Sequence, residues 1–244
     1  MPTPNYQLEW DKSTERLYET GVRMGVVYPQ ASNGTYPKGH AWNGLTGVTE
    51  SPSGADVTKL WADDINYLSM RAAEEFGGTI EAYTYPDAFA ECDGSAVAKY
   101  NNNPVNGINI GQQPRKPFGF CYRSVLGNDA DLDNYGYKLH LIYGCTVTPS
   151  ERAYETINDS PDAITFSWEF DTVPVTVAGH KPTSEIVLDS KKLGATKMAA
   201  IEAVLYGTAE IPAANVGDDP TPAVDARLPL PDEVISIIAT TPTT

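Results

Sequence analysis

The run Asp129-Ala130-Asp131-Leu132-Asp133 is where residue spacing most directly suggests chemistry, because alternating aspartates offer hard oxygen ligands to a calcium-like cation. The pattern then breaks. Asn134 stands where a calcium loop turns on glycine, and His140 stands where a bidentate glutamate would close the shell. A solvated loop and a weak cation site both stay open on these residues. His40, His140 and His180 are far apart in sequence. His140 falls inside an apolar run, where a hydrogen-bonded structural histidine is the expectation. The acidic pairs Asp63-Asp64, Glu74-Glu75 and Asp218-Asp219 are adjacent, so on strands their members point to opposite faces and make poor carboxylate dyads. There is no GxSxG, P-loop, GxGxxG or HExxH. No catalytic residue, cofactor or metal ligand is assigned, and the chain reads as a non-enzyme.

Composition narrows the partners. The 244 residues are 41% hydrophobic and 20% charged, enough for a real core. Net charge is −15, which disfavours a clamp that holds nucleic acid through its phosphates and suits a surface that lets a polyanion pass. No window approaches 18 consecutive apolar residues, so no membrane-spanning helix is expected. Cys92, Cys121 and Cys145 are widely spaced and odd in number, the pattern of reduced thiols. The first residues carry neither a basic nor an apolar signal region, so assembly in a cytoplasm is expected and the sequons at Asn33 and Asn158 carry no meaning.

The elements that must position these residues are mostly strands. Residues 80–85, 118–125, 137–147 and 163–177 are rich in aromatic and β-branched types. In the last, Phe166, Trp168 and Phe170 alternate with Thr165, Ser167, Glu169 and Asp171, which predicts one apolar and one polar face. Turn clusters at 51–54, 77–78, 127–129 and 158–161 punctuate them. Together they predict a mainly β fold of two packed antiparallel sheets, a sandwich or barrel. One flanking helix is predicted over 195–206, from Met198, Ile201 and Leu205, with Gly207 as its stop. The expected domains are a β body over 1–209 and a Pro-rich arm over 210–244, in which 233–239 would add an edge strand.

Trp42 and Trp61 flank a segment centred on Ser51-Pro52-Ser53-Gly54. It reads either as an ordinary hairpin with both indoles in the core or as a long hairpin that buries itself in a neighbour. On the second reading Trp42, Thr49, Glu50, Asp56 and Trp61 are the inter-subunit contacts.

Blocks along the chain carry a family likeness. In order they are Gly25-Val26-Val27-Tyr28-Pro29, Ala41-Trp42-Asn43-Gly44-Leu45-Thr46-Gly47-Val48, and the run from Glu74-Glu75-Phe76-Gly77-Gly78 to Tyr83-Thr84-Tyr85-Pro86. Then come Ile110-Gly111-Gln112-Gln113 with Arg115, Gly127-Asn128-Asp129, and Tyr135-Gly136-Tyr137-Lys138-Leu139-His140. Thr156-Ile157-Asn158-Asp159-Ser160-Pro161 and Ser167-Trp168-Glu169-Phe170 complete the set. In order and spacing, over residues 16–207, the sequence resembles the major tail (tail-tube) proteins of long-tailed, non-contractile bacteriophages.

That resemblance implies a virion protein whose six copies form a ring, with rings stacked into a β-lined tube for genome ejection. It implies self-association, contacts with tape-measure, tail-tip and tail-terminator proteins, and transient non-specific passage of phage DNA. In such a tube the polar face of 163–177 would put Glu169 and Asp171 on the lumen; on a solitary sandwich it would be wetted. A carbohydrate- or cell-wall-binding β-sandwich is the alternative, since such modules are also acidic and aromatic. A glycosidase with two distant carboxylates comes third.

Overall fold

Side chains that alternate between two faces govern most of this chain. The computed structural model describes residues 8, 10–13, 15–154, 156, 163–210 and 222–242. In chain order the strands begin with β1 (Tyr18–Pro29), β2 (His40–Trp42), β3 (Leu45–Glu50), β4 (Ser53–Gly54), β5 (Val57–Ala62), β6 (Ile65–Arg71), β7 (Glu74–Glu75) and β8 (Gly77–Ala82). After a 3-10 turn at Asp87–Phe89 come β9 (Ala96–Tyr100), β10 (Asn103–Ile110), β11 (Phe118–Asn128), β12 (Leu132–Val147), β13 (Phe166–Thr172) and β14 (Glu185–Asp189). The helices are α1 (Ser190–Leu193), α2 (Ala195–Tyr206) and α3 (Pro231–Thr240). The fold is mainly β and antiparallel, with helices at its flank.

One sheet dominates, in the order β2-β1-β11-β12-β13-β8-β3, with β14 also paired to β12. The two layers anticipated from the sequence are therefore made by one sheet that rolls over itself. The roll starts on β12, whose residues 138–142 pair with β14 and 145–147 with β13. Between these stretches Gly144 has φ +64°, and a Cβ there would lie 2.3 Å from the Val173 carbonyl oxygen. Only glycine permits that break. From β13 the sheet curls through β8 to β3, which comes to lie beside β1, Leu45 packing where a Cβ on Gly25 would stand.

Two cores result, one on each side of the central strands. Phe118, Phe120 and Tyr122 of β11 face inward with Ile142, Trp168, Phe170 and Ile80. Cys121 and, on β12, Leu139, Leu141 and Tyr143 face the other way, against Met198, Ile201 and Leu205 of α2. A strand buried on both faces loses its polar alternation, which is why β11 reads as a nearly unbroken apolar run. Trp42 is 3% exposed in the inner core, packed against Phe120 and Trp168, with its indole N–H donating to the Thr84 carbonyl at 2.8 Å. The thiols of Cys92 and Cys121 are buried and pushed up to about 12 by that burial, so neither is a nucleophile at neutral pH.

Two sequence expectations change. Gly77-Gly78 is not a turn but the start of β8; a Cβ on Gly78 would meet the Thr49 carbonyl oxygen at 2.3 Å and the Phe170 ring at 3.0 Å. Residues 233–239 form a helix instead of an edge strand. Pro231 opens α3, Asp232 and Glu233 stand in its first turn, and Val234, Ile237 and Ile238 recur at helical spacing on the face toward the outer core. Arg227 braces this turn, donating to both Glu233 oxygens at 2.5 and 2.8 Å. The turn expected at 158–161 and the stretch 211–221 lie outside the described residues.

Residues 222–242 are thus folded onto their own chain, with Leu228 2% exposed and bridged to Tyr36. Leu228→Ala should lower the unfolding free energy of the free protein by about 2–5 kcal/mol in urea titrations, the usual cost of emptying a core leucine site. A segment that docks only on assembly would leave it unchanged.

Candidate functional site

The strands that close the roll also launch its largest projection. The β3–β8 ladder ends at Glu50 opposite Gly78, continues through the short β4–β7 pair, and becomes the β5–β6 ribbon. Its tip is Asp63-Asp64, with φ of +50° and +59°, the backbone sense that two-residue hairpin turns require. The Ser51-Pro52-Ser53-Gly54 cluster, expected as the turn, is instead a waypoint along the arm. Twelve residues, 51–62, lie between Glu50 and the tip, an extended reach of about 40 Å.

The arm is apolar where it touches nothing of its own. All residues of β5 and β6 are exposed, among them Trp61 at 67% and Tyr67 at 73%, with Leu60, Ile65, Leu68 and Met70. A two-stranded ribbon is marginal alone in water, and both its edges present unpaired backbone groups. Of the five contact residues named from sequence, Thr49, Asp56 and Trp61 are exposed on or near this arm, and Glu50 is half-buried at its base. Trp42 is in the core, because its large apolar ring fills the inner cluster. A second ribbon, β9–β10, turns at Asn101-Asn102 with φ of +48° and +65° and exposes Tyr100, Ile108 and Ile110. Sequence reading passed over it, because Pro104 and three asparagines look like a loop; the Asn-Asn pair was the usable turn signal.

The outer face of the curl is acidic. Glu169 and Asp171 are exposed on β13, Glu169 pairs with Thr79 and Ser167 with Glu81, and Thr79 in turn pairs with Thr49. Glu81 is also exposed, so β13 and β8 present three carboxylates, and no basic residue stands at these paired positions. The alternation in 80–85 could have flagged Glu81.

At the arm's base the inner core opens on a charged cluster. His140 is 8% exposed and stacks on Tyr122, centroids 4.5 Å apart at 6°. Its Nδ1 lies 3.3 Å from carboxylate oxygens of both Glu50 and Glu185, and its Nε2 lies 3.1 Å from Ser124 Oγ. Ser124 donates to Glu19, which Lys138 also binds at 2.5 Å, and Tyr122 donates to Glu50 at 2.5 Å. Burial alone would depress the His140 pKa, but hydrogen bonds and charges from Glu185 and Glu50 outweigh it and raise it to about 9. Hydrogen bonds from His140 and Tyr122 hold Glu50 below its ordinary value against burial. For Glu19 burial opposes ionisation, and Lys138 and Ser124 more than reverse it. The aspartates at 129–133 form no such group. Asn128 binds Asp131, Ser13 donates to Asp129, and Tyr18 donates to Asp133.

No protein-family model matches the chain, and no curated protein matches it. Solved structures that resemble it weakly include two from an extracellular contractile injection system in the extended state. The sheath/tube terminator is 12% identical over 75% of this chain and 99% of that one, with a TM-score of 0.32. The sheath–tube complex is 13% identical over 75% of this chain and 94% of that one, with a TM-score of 0.29. Among the described residues no helix is long and apolar enough to cross a membrane.

The cluster carries a pH signature. A histidine whose folded pKa exceeds its unfolded value stabilises fully below about pH 6.5 and loses that contribution as pH rises through about 9. The lowered Glu19 and Glu50 contribute above about pH 4.5 and lose it as pH falls. The unfolding free energy from urea titrations should be highest between about pH 4.5 and 6.5 and decline from pH 6.5 to 9 by on the order of 2–3 kcal/mol. His140→Gln should flatten the alkaline limb.

Proposed function

We propose that this chain is a structural subunit that assembles with copies of itself into the tube of a phage tail. The observation that carries the reading is the apolar arm of β5 and β6, which is uncovered among the described residues. Surfaces of that kind mark protein contact sites, and tryptophan and tyrosine are their usual anchors. The subunit also carries a different surface able to receive an apolar element. A cleft of about 710 Å3 is lined by Val22, Met24, Leu45, Leu205 and Tyr206 among others. An arm on one surface and a receptor on another make a head-to-tail contact, which generates rings when its rotation closes. The residue blocks that resemble tail-tube proteins favour six copies per ring, stacked rings, and tape-measure, tail-tip and terminator partners within a virion.

The acidic outer face suits the lumen of such a tube. Glu169, Asp171 and Glu81, repeated around each ring, repel phosphate and let DNA slide without holding it. Neither role requires an active site. Purified protein in negative-stain micrographs should form rings or hollow tubes; persistent monomers at high concentration, or monomers that bind glycans, would overturn the reading.

The double variant Trp61→Ser with Tyr67→Ser removes two exposed anchors and no core contact. Urea unfolding should move by no more than about 0.5 kcal/mol, while sedimentation should show loss of rings and tubes. Assembly at wild-type concentration would place the contact elsewhere. Glu169→Lys with Asp171→Lys tests the lumen separately. Tubes should still assemble, but particles carrying them should stall DNA in a salt-dependent manner, the mark of phosphate contact. Normal ejection would place this face on the outside.

A further inference from the structure

At the arm's base one imidazole nitrogen meets two carboxylates through contacts longer than strong ion pairs make. His140 Nδ1 stands 3.3 Å from both Glu50 Oε1 and Glu185 Oε1, long for charge-assisted bonds, which normally close to about 2.7–2.9 Å. Ligands about 2.0–2.1 Å from a tetrahedral zinc are about 3.3 Å from one another. These three donor atoms all lie within 4.8 Å of each other, and among the described residues theirs is the group of His, Cys, Asp or Glu that converges in this way.

The surroundings fit the same purpose. A histidine that binds metal through one ring nitrogen usually donates its other N–H to a carboxylate or another acceptor, which fixes ring and tautomer. Here Nε2 is 3.1 Å from Ser124 Oγ and 3.4 Å from Glu19 Oε1, Ser124 itself donates to Glu19, and Lys138 anchors that carboxylate. Tyr122 steadies both ligand types, stacking on the imidazole and donating to Glu50. Charge points the same way. Three glutamates face one lysine and one histidine, so the cluster carries excess negative charge in either state of the imidazole, which is costly in a partly buried place. A cavity of about 420 Å3, lined by Glu19, Glu50, Tyr122, Ser124 and His140 but not by Glu185, adjoins two of the three residues.

We propose that Glu50, His140 and Glu185 form a binding site for a first-row divalent cation of the zinc class, with water completing the shell. One nitrogen and two carboxylates in a small triangle suit such an ion better than calcium, which takes six to eight oxygens at longer distances. The ion would tie β3, at the arm's root, to β12 and β14 of the main sheet. This site rests on no part of the tail-tube reading and stands if that reading fails.

Cobalt(II) titrated into chelator-treated full chain and read by visible absorption is the test. One equivalent should give a d–d band of low-coordinate geometry, with a micromolar or tighter dissociation constant, and zinc should displace it. His140→Gln and Glu185→Gln should each weaken binding at least tenfold, the latter serving if the former does not fold. Asp129→Asn with Asp131→Asn should leave binding unchanged. Zinc should raise the thermal midpoint of the wild-type chain and not that of Glu185→Gln. Absence of a saturable band in the wild-type chain overturns the proposal, as does a band that survives both ligand variants or is lost with the aspartates.

Discussion

Strand β12 cannot pair with both β14 and β13 along one edge unless it breaks between them, and Gly144 is the break. Its left-handed φ and the Val173 carbonyl pressed to within 2.3 Å of where a Cβ would stand leave no room for another residue. Everything downstream in the roll depends on that divergence. With β14 on one half of β12, Glu185 is delivered beside His140; with β13 on the other, the sheet can curl through β8 until β3 returns to β1 and Glu50 reaches the same histidine. The inner core, where Phe89 meets Phe118 and Trp168 edge to face and Trp42 meets Trp168 likewise, is enclosed by the same bend.

The outer core solves a different problem. A central sheet with apolar side chains on both faces must be covered twice, and the roll covers only one. Helices α2 and α3 cover the other, together with Leu228 from the segment between them, while Tyr28 and Tyr143 keep their hydroxyls satisfied by donating to the Leu205 and Pro229 carbonyls. Buried phenols need such partners, since an unpaired one forfeits its hydration without return. The chain's last described helix is therefore part of the body's stability.

The arm stands outside both cores, and that contrast carries the functional reading. A folded chain that invests an inner and an outer core in its body, yet leaves a long ribbon bearing Trp61 and Tyr67 in water, holds apolar surface in reserve for something else. Self-association would bury it and pair the ribbon's edges at the same time. The acidic face across β13 and β8 stays polar for a separate reason, being the side of the curl that no core needs.

Local signals determined much of this molecule. The alternation of Phe166, Trp168 and Phe170 with Glu169 and Asp171 and the stripe of Met198, Ile201 and Leu205 were both legible because each depends on residues a few positions apart. The helix at 231–240 was legible as well, through Pro231 and the spacing of Val234, Ile237 and Ile238, but the prolines before it carry the pattern of an extended arm. What only tertiary structure decided was convergence. Trp42 and Trp61 look equivalent in sequence and are opposites in space, one sealed in the core and one at 67% exposure, because burial depends on what the rest of the chain brings to each. Likewise Glu19, Glu50, His140 and Glu185 are scattered over four strands. No spacing rule links them; they meet because pairing register and the break at Gly144 fold those strands to a common point.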